Sequence, residues 1–315
     1  MIGRRLGTVD ARRSPTSHMK KHSMNSLLAA GVACVVTLAG PTVELRGDST
    51  SCRVAAGPLA LGELPEASGV AVSRLSSGVL WAVNDSGKPL LFALDPSGAV
   101  KGKVRVAGAA IDDWEDIAVG PCPAGSCIYV ADIGDNNATR SHVTIYRVPE
   151  PSPRDASTAA AEVFRATYPD GPHDAEAFFV TDAGWFIVTK GNTGPVALYR
   201  FPSALRSGTT VRLERVGSPR DARKAKWGDR ITGAAASPDG HWIALRSHEA
   251  IMFFRADELV AGRWQDARHV DLRGLRERQG EGIAIGADHT VYLVGEGGGH
   301  SRPGTLARLN CTFPQ

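Results

Sequence analysis

The sequence has 315 residues, 43% of them hydrophobic, which allows one or two domains with a proper core. Its 35 glycines and 19 prolines, with no long stretch at helical period, favour an all-β chain with many turns. The net charge of +3 arises in the first 39 residues, which hold six Lys or Arg and one Asp. Without them 30 basic residues face 32 acidic ones, so the charge gives no reason to expect a nucleic-acid partner.

Residues 1–39 are predicted to be a signal peptide or leader. A Lys-Lys pair at positions 20 and 21 precedes an apolar run from Leu27 to Ala39. That run suits the apolar region of a signal peptide and is too short to span a bilayer. Cleavage near Ala39 would leave a short linker at 40–51 and a single domain at 52–315. We therefore expect a secreted or otherwise extracytoplasmic protein with no transmembrane segment in its mature chain.

Four cysteines remain after the leader, and an even number in an exported chain suggests two disulfides. Cys122 and Cys127 flank a tight turn, which makes them natural partners. Cys52 and Cys311 would then pair and tie the two ends of the domain together. The alternative is four free structural thiols.

An apolar triplet recurs five times along the chain and predicts the fold. Successive triplets start 47, 61, 56 and 49 residues apart. Periods near 40–50 residues with several short strands each are typical of β-propeller blades. Consecutive apolar residues also suit strands that are covered on both faces. We predict a five-bladed β-propeller, with six blades as the alternative. The triplets are Val70-Ala71-Val72, Ile117-Ala118-Val119, Phe178-Phe179-Val180, Ala234-Ala235-Ala236 and Ile283-Ala284-Ile285.

The strands that follow each triplet can be predicted from short apolar runs between turn residues. The last repeat ends one strand short, whereas Arg53–Leu61 precedes the first repeat and has no blade of its own. If this segment supplies the missing outer strand, the ring closes by pairing the two termini. Cys52 would then lie beside Cys311. We predict a loop at Asp155–Ala161 and at most one helical turn at Asp257–Trp264.

Carboxylates are predicted to surround one mouth of the central channel. In a propeller, the start of each innermost strand and the end of each second strand lie on the same face. Like charges at close range need a cation, protonation or basic neighbours to offset them. Oxygen ligands suit calcium, and the alternative is that the glutamates cap loop amides as part of the repeat. The candidate calcium ligands are Asp113, Glu115, Asp132, Glu176 and Glu281.

Basic residues are predicted on the same face. Guanidinium and ammonium groups pair with phosphate or carboxylate, so Lys190, Arg230, Arg246 and Arg278 are candidates for binding an anionic ligand. The alternative is that they lie on ordinary solvated loops. His173, with Glu176, is the candidate for catalysis as a general base, although a lone His in a Pro/Gly turn is more often structural.

Three short motifs then carry a resemblance to a known group of proteins. They are Glu115–Ala118 (EDIA), Asp174–Ala177 (DAEA) and Glu281–Ala284 (EGIA). The repeat of Trp81–Asp85 leading to Leu91–Asp95 is similar as well. The chain resembles the exported propellers grouped as phytase-like or SdiA-regulated proteins. The resemblance implies an extracytoplasmic propeller with bound calcium, in some cases with phosphoester or ester hydrolysis.

Two functions remain open at this point. The first is a propeller that binds calcium and, on the same face, a small anionic ligand or an extracellular protein. The second is a metal-dependent hydrolase of phosphoester, ester or lactone substrates, and whether the protein is an enzyme is left undecided. We expect a monomer.

Overall fold

The structure is a computed structural model that describes residues 44–46, 51–219, 223–265, 267–299 and 301–313. The predicted leader and most of the predicted linker lie outside the described residues. No helix within the described ranges is long and apolar enough to cross a membrane.

The regular secondary structure of the described residues is almost entirely strand, as the glycine and proline content predicted. One short helix, α1 (Ala256–Val260), replaces the single predicted helical turn, and two 3-10 turns occur at Trp227–Asp229 and Arg273–Leu275. The strands in chain order are β1 (Glu44–Arg46), β2 (Ser51–Leu61), β3 (Ala67–Val72), β4 (Leu80–Asn84), β5 (Leu90–Leu94), β6 (Val100–Ala107), β7 (Trp114–Cys122), β8 (Gly125–Asp132), β9 (Val143–Pro149), β10 (Ser157–Ala160), β11 (Glu162–Thr167), β12 (Ala175–Thr181), β13 (Gly184–Thr189), β14 (Leu198–Arg200), β15 (Thr210–Arg212), β16 (Glu214–Gly217), β17 (Ile231–Ala236), β18 (Trp242–Ser247), β19 (Ala250–Arg255), β20 (Arg268–Asp271), β21 (Gln279–Ile285), β22 (Thr290–Glu296) and β23 (Gly304–Thr312).

These strands form five antiparallel-based sheets that are the blades of a β-propeller, as predicted. Each predicted triplet lies on an innermost strand, namely β3, β7, β12, β17 and β21. Each innermost strand contacts the next around the ring, and β21 contacts β3 to complete it. The predicted count of five blades is confirmed.

The ring closes through its termini. β2 pairs antiparallel with β23 and becomes the fourth strand of the last blade, and β1 adds a fifth. Cys52 lies opposite Cys311 in this ladder, and the two form a disulfide. Cys122 and Cys127 form the second. Both predicted pairings and the predicted strand closure are confirmed.

The predicted loop at Asp155–Ala161 is wrong in its centre. Residues Ser157–Ala160 form β10, which pairs in parallel with β6 of the preceding blade. β15 likewise leaves its own blade and pairs in parallel with β11. The residues of β10 are small, two hydroxyl residues followed by two alanines, and give no apolar strand signal. The strand is held by main-chain hydrogen bonds to a neighbouring edge. The preceding blades thereby gain a fifth strand.

Apolar side chains fill the spaces between adjacent blades. One such cluster packs Trp81 of the first blade against Ile117 and Ile128 of the second. The second strands β8, β13 and β18 are buried along almost their whole length. For these strands, the expectation that both faces are covered is confirmed. The innermost strands differ, since Val119 and Ala235 are only half-buried where they line the channel.

The centre of the channel is closed. Asp116 of β7 is fully buried, and its carboxylate accepts hydrogen bonds from Phe178 N of β12 at 2.9 Å and Ala234 N of β17 at 3.1 Å. Because β7 and β17 belong to blades that are not neighbours, this side chain crosses the channel. Glycine permits close backbone approach at the same level: a Cβ on Gly282 would lie 2.6 Å from Ser68 O.

Candidate functional site

The starts of the innermost strands and the ends of the second strands meet at one end of the channel. The strand register shows this directly, because Trp114 lies opposite Asp132 and Gln279 lies opposite Glu296. All of the three predicted glutamates face this end and are at least nine-tenths buried. We call the group of carboxylates here the acidic mouth; its members are Asp85, Asp113, Glu115, Asp174, Glu176 and Glu281.

Burial and mutual repulsion raise the pKa values of four carboxyls in the acidic mouth. Burial, and then the charge of Asp113, raises the pKa of Glu115 well above its ordinary range. Burial and Glu296 raise the pKa of Glu281 to about 8. Burial and Glu66 raise the pKa of Asp85 to about 8, and burial with Asp174 raises that of Asp113 to about 6. Nearby cations therefore compensate the charged forms of these acids only in part.

Lys190 supplies part of the missing positive charge. Its ammonium forms an ion pair with Glu176, and both side chains are largely buried. The same ammonium also acts against the upward shift in the pKa values of Glu115 and Glu281. Lys190, predicted to bind a ligand, thus lies among the predicted metal ligands, and the sequence does not reveal that arrangement.

Asp113 and Glu115 lie side by side above the backbone of Gly134. A Cβ at Gly134 would lie 2.3 Å from Asp113 Oδ2 and 2.4 Å from Glu115 Oε1. Only glycine leaves room for this pair of oxygens, which belong to two residues of the same strand end. The arrangement places two acceptors next to each other at the edge of the mouth.

The side chain of Asp132 binds the backbone just before β7 and Arg140 in the loop after β8. It accepts hydrogen bonds from the backbone N of Asp112 at 3.0 Å and of Asp113 at 3.2 Å, and it forms an ion pair with Arg140 at 2.7 Å. Arg140 also donates to Gly134 O at 2.8 Å. These contacts hold the segment before β7 against the loop that follows β8. A role for Asp132 as a metal ligand stays a prediction.

Buried polar atoms without a partner are concentrated at this end of the channel. Among the described residues, eleven buried side-chain N or O atoms have no hydrogen-bond partner, and eight of them belong to residues at or directly behind the acidic mouth. Most buried polar groups in proteins are paired, so such a concentration needs an explanation. The eight atoms are Asn84 Oδ1, Asp85 Oδ1, Asp174 Oδ2, Glu176 Oε2, Arg230 Nε, Arg246 Nε, His248 Nε2 and Glu277 Oε1.

The fit of this site to calcium rests on those oxygens. In the described part of the chain, no group of three or more His, Cys, Asp or Glu side chains is arranged to hold a metal ion. Asp174 Oδ2 and Glu176 Oε2 are nevertheless buried acceptors without a donor, and oxygen is the ligand that calcium prefers. The donor set fits a hard cation, and the side chains would have to converge to bind it.

The predicted basic residues differ greatly in exposure. Arg278 is exposed, whereas Arg246 has no exposed side-chain area. Arg246 donates to Gly282 O and Val294 O, each at 2.8 Å, and forms an ion pair with Glu277. Its Nη1 and Nη2 are already committed to protein acceptors, whereas its buried Nε has no partner, and a role in ligand binding stays a prediction.

His173 lies in an aromatic cluster with its own partners. Its Nε2 is 3.0 Å from Asp170 Oδ1 and 3.0 Å from Tyr199 Oη, and its ring packs edge-on against Tyr168. No contact between His173 and Glu176 is found among the described residues, and the predicted catalytic role of the two stays untested.

His248 is a further residue of the mouth that the prediction of site residues omitted. Nδ1 lies 3.0 Å from Gly280 O, which can only accept, so Nδ1 carries the proton and Nε2 keeps a lone pair. The ring stacks on Trp227 with centroids 4.0 Å apart, and Trp227 is 49% exposed. Burial lowers the pKa of His248 to about 4. The sequence feature that could have identified His248 as a residue of the mouth is its position directly after β18, the second strand of its blade.

Comparison with solved structures finds other propellers. A PQQ-bound aldose sugar dehydrogenase from Streptomyces coelicolor has a TM-score of 0.52 and 13% identity, covering 85% of this chain and 100% of that one. The likeness is one of fold. A gluconolactonase from Xanthomonas campestris has a TM-score of 0.47 and 12% identity, covering 88% of this chain and 99% of that one.

No family model matches the chain, and no curated protein matches it. The structural likeness to the sugar dehydrogenase shows that the two chains share the β-propeller fold, and it shows the fold alone. It gives no support to the phytase-like or SdiA-regulated type in particular, so that finer resemblance stays a prediction.

Proposed function

We propose that the acidic mouth binds a hard divalent cation, for which calcium is the best candidate, together with a small polar ligand. The observation that carries this proposal is the concentration of unpartnered buried atoms at the mouth. Polar ligands occupy concave sites where a few placed polar groups converge. A cation would satisfy the carboxylate oxygens, and the ligand would pair with the remaining donors and acceptors.

Electrostatics support a cation as the first component. The upward pKa shifts of Glu115, Glu281, Asp85 and Asp113 mean that their ionised forms repel one another in a poorly solvated space. A bound divalent ion reverses that penalty. Asp113, Glu115, Asp174, Glu176 and Glu281 would hold it, and Lys190 would turn from Glu176 towards the ligand.

An anionic ligand is compatible with this site only after the cation has bound. Once they are ionised, the carboxylates outnumber the cationic groups at the mouth, so above their raised pKa values a free anion would be repelled. With the cation present, Lys190 and Arg230 remain near the rim to pair with phosphate or carboxylate oxygens. An extracytoplasmic location agrees with the two disulfides.

Calcium is expected to stabilise the protein in a pH-dependent manner. Calcium at a concentration a hundredfold above its Kd should add about 2.7 kcal/mol to the free energy of unfolding. Each kcal/mol should raise the melting temperature by roughly 2–4 °C.

The pH dependence follows from Glu281, which has a folded pKa of about 8, above the unfolded value of 4.5. The folded state therefore binds more protons between these values, and metal-free stability falls as pH rises through that window. Calcium needs the ionised form, so its stabilising effect grows over the same window. Melts at pH 6 and pH 9, with calcium and with EDTA, measure both trends.

Glu281→Gln is the test variant and Asp182→Asn the matched control, since Asp182 is an exposed carboxylate at the opposite end of an innermost hairpin. In Glu281→Gln, calcium should no longer raise the melting temperature, and the metal-free stability should fall less between pH 6 and pH 9. Asp182→Asn should show both effects as the wild type does. A wild-type melt that is the same in calcium and EDTA at pH 9 would sink the proposal.

Hydrolysis is a second candidate, favoured by carboxyl pKa values near neutrality. A general base works best when its pKa lies near the working pH, and Asp113 at about 6 and Glu281 at about 8 bracket that range. The expected result is metal-dependent turnover of one class among phosphoesters, lactones and carboxyl esters, reduced at least about a hundredfold in Glu115→Gln and Glu281→Gln. Turnover that is unchanged in both variants contradicts this candidate.

A further inference from the structure

A second cavity lies at the end of the channel opposite the acidic mouth. It has a volume of about 820 Å³ and is lined by the ends of all five innermost strands and the turns that follow them. We call it the lower funnel. Its volume falls in the range of small-molecule sites, roughly 300–1,000 Å³.

The lower funnel is a blind pocket. Asp116 crosses the channel above it and binds the backbone N–H groups of β12 and β17. Gly69, Gly233 and Gly282 bring neighbouring backbones so close that a Cβ on any of them would lie under 3 Å from the next strand. An occupant of the funnel therefore cannot reach the acidic mouth, and a chain cannot thread through.

The walls of the funnel are apolar and partly uncovered. Val72, Ala118, Val119 and Ala235 line it and are only half-buried, although they lie on the innermost strands of the fold. Small side chains on β17 keep the space open, since three consecutive alanines occur there. When an apolar molecule covers such a surface, the binding free energy becomes more favourable by about 25 cal/mol for each Å² of apolar area removed from water.

The rim of the funnel carries more negative than positive charge. Asp182, Asp239 and Asp257 line it together with one basic residue, Arg74. Arg255, outside the lining, lies 4.0 Å from Asp257 and offsets part of that charge. Asp239 Oδ1 accepts hydrogen bonds from Ser237 Oγ and His241 N. With Arg74 and Arg255 counted against the three aspartates, the rim keeps a net charge of −1 around an apolar pocket.

We propose that the lower funnel binds a small apolar molecule that carries a positive charge at one end, with the apolar part inside and the cation at the rim. This inference does not rest on the function proposed for the acidic mouth. Charge at the rim selects the class of ligand, and the closed channel limits its length. Apolar anions should bind more weakly than apolar cations because of the same carboxylates.

Displacement of a fluorescent neutral probe, N-phenyl-1-naphthylamine, tests the proposal on the whole protein. Three competitors with the same twelve carbons carry a cationic, a neutral or an anionic head group: dodecylamine, dodecanol and dodecanoate, each kept below its solubility limit and below any micellar concentration. Dodecylamine should displace the probe at a concentration about tenfold lower than dodecanoate. The difference should shrink as salt is added.

Two filling variants on different blades, Ala235→Phe and Ala118→Phe, should abolish probe binding while remaining folded by circular dichroism. Asp182→Asn combined with Asp239→Asn should remove the preference for the amine and retain probe binding. Glu281→Gln, at the acidic mouth, should change neither. Absence of probe binding to the wild type, equal displacement by amine and carboxylate, or full binding in both filling variants would each overturn the proposal.

Discussion

Replacing Arg246 by Met is expected to lower the free energy of unfolding by about 3–5 kcal/mol. Arg246 and Glu277 are 0% and 3% exposed in their side chains, and they form an ion pair across two blades. The guanidinium also binds Gly282 O and Val294 O. The variant leaves a buried carboxylate without its ion-pair partner and removes the hydrogen bonds from the guanidinium to two carbonyls. Urea or guanidinium unfolding measures the loss.

The double variant Arg246→Met/Glu277→Leu is the internal control, because it removes the uncompensated charge. It should be more stable than Arg246→Met alone, since breaking one half of a buried pair costs more than replacing both halves. Arg263→Met removes a solvent-exposed pair with Glu258 and should leave stability unchanged. If Arg246→Met unfolded like the wild type, the interpretation of Arg246 as the link between these blades would be wrong.

Removing the Cys52–Cys311 disulfide is expected to cost towards the upper end of roughly 2–5 kcal/mol. The two cysteines are 259 positions apart, so the bridge closes almost the whole propeller into one loop in the unfolded chain. The loss of loop-closure entropy grows with that length. Chemical unfolding of Cys52→Ala/Cys311→Ala under oxidising conditions gives the value.

The second disulfide offers the matched comparison. Cys122 and Cys127 are only five positions apart, so Cys122→Ala/Cys127→Ala should destabilise the protein much less. β2 still pairs with β23 in the first variant, and we expect it to fold. Equal losses for the two variants would show that loop length does not determine the contribution of these bridges.

The number of blades and the closure of the ring could be predicted from the sequence. Both depend on features that are local in the chain: the recurring apolar triplets, the turn residues between them, a strand without a blade before the first repeat and a missing outer strand in the last. Strand β10 could not be predicted in this way. Its residues, Ser-Thr-Ala-Ala, are small and give no apolar pattern, and it is a strand because the free edge of β6 lies beside it.

The sequence by itself determined that acids cluster at one end of the channel, because the position before each triplet repeats with the blade. Only the tertiary structure decided what those acids meet. Lys190 pairs with Glu176, and Arg246 pairs with Glu277 from 31 positions away. Asp116, beside two of the predicted ligands, turns into the channel to bind backbone amides of two other blades. Side-chain direction and the desolvation of each charge depend on neighbours distant in sequence, and no local pattern records them.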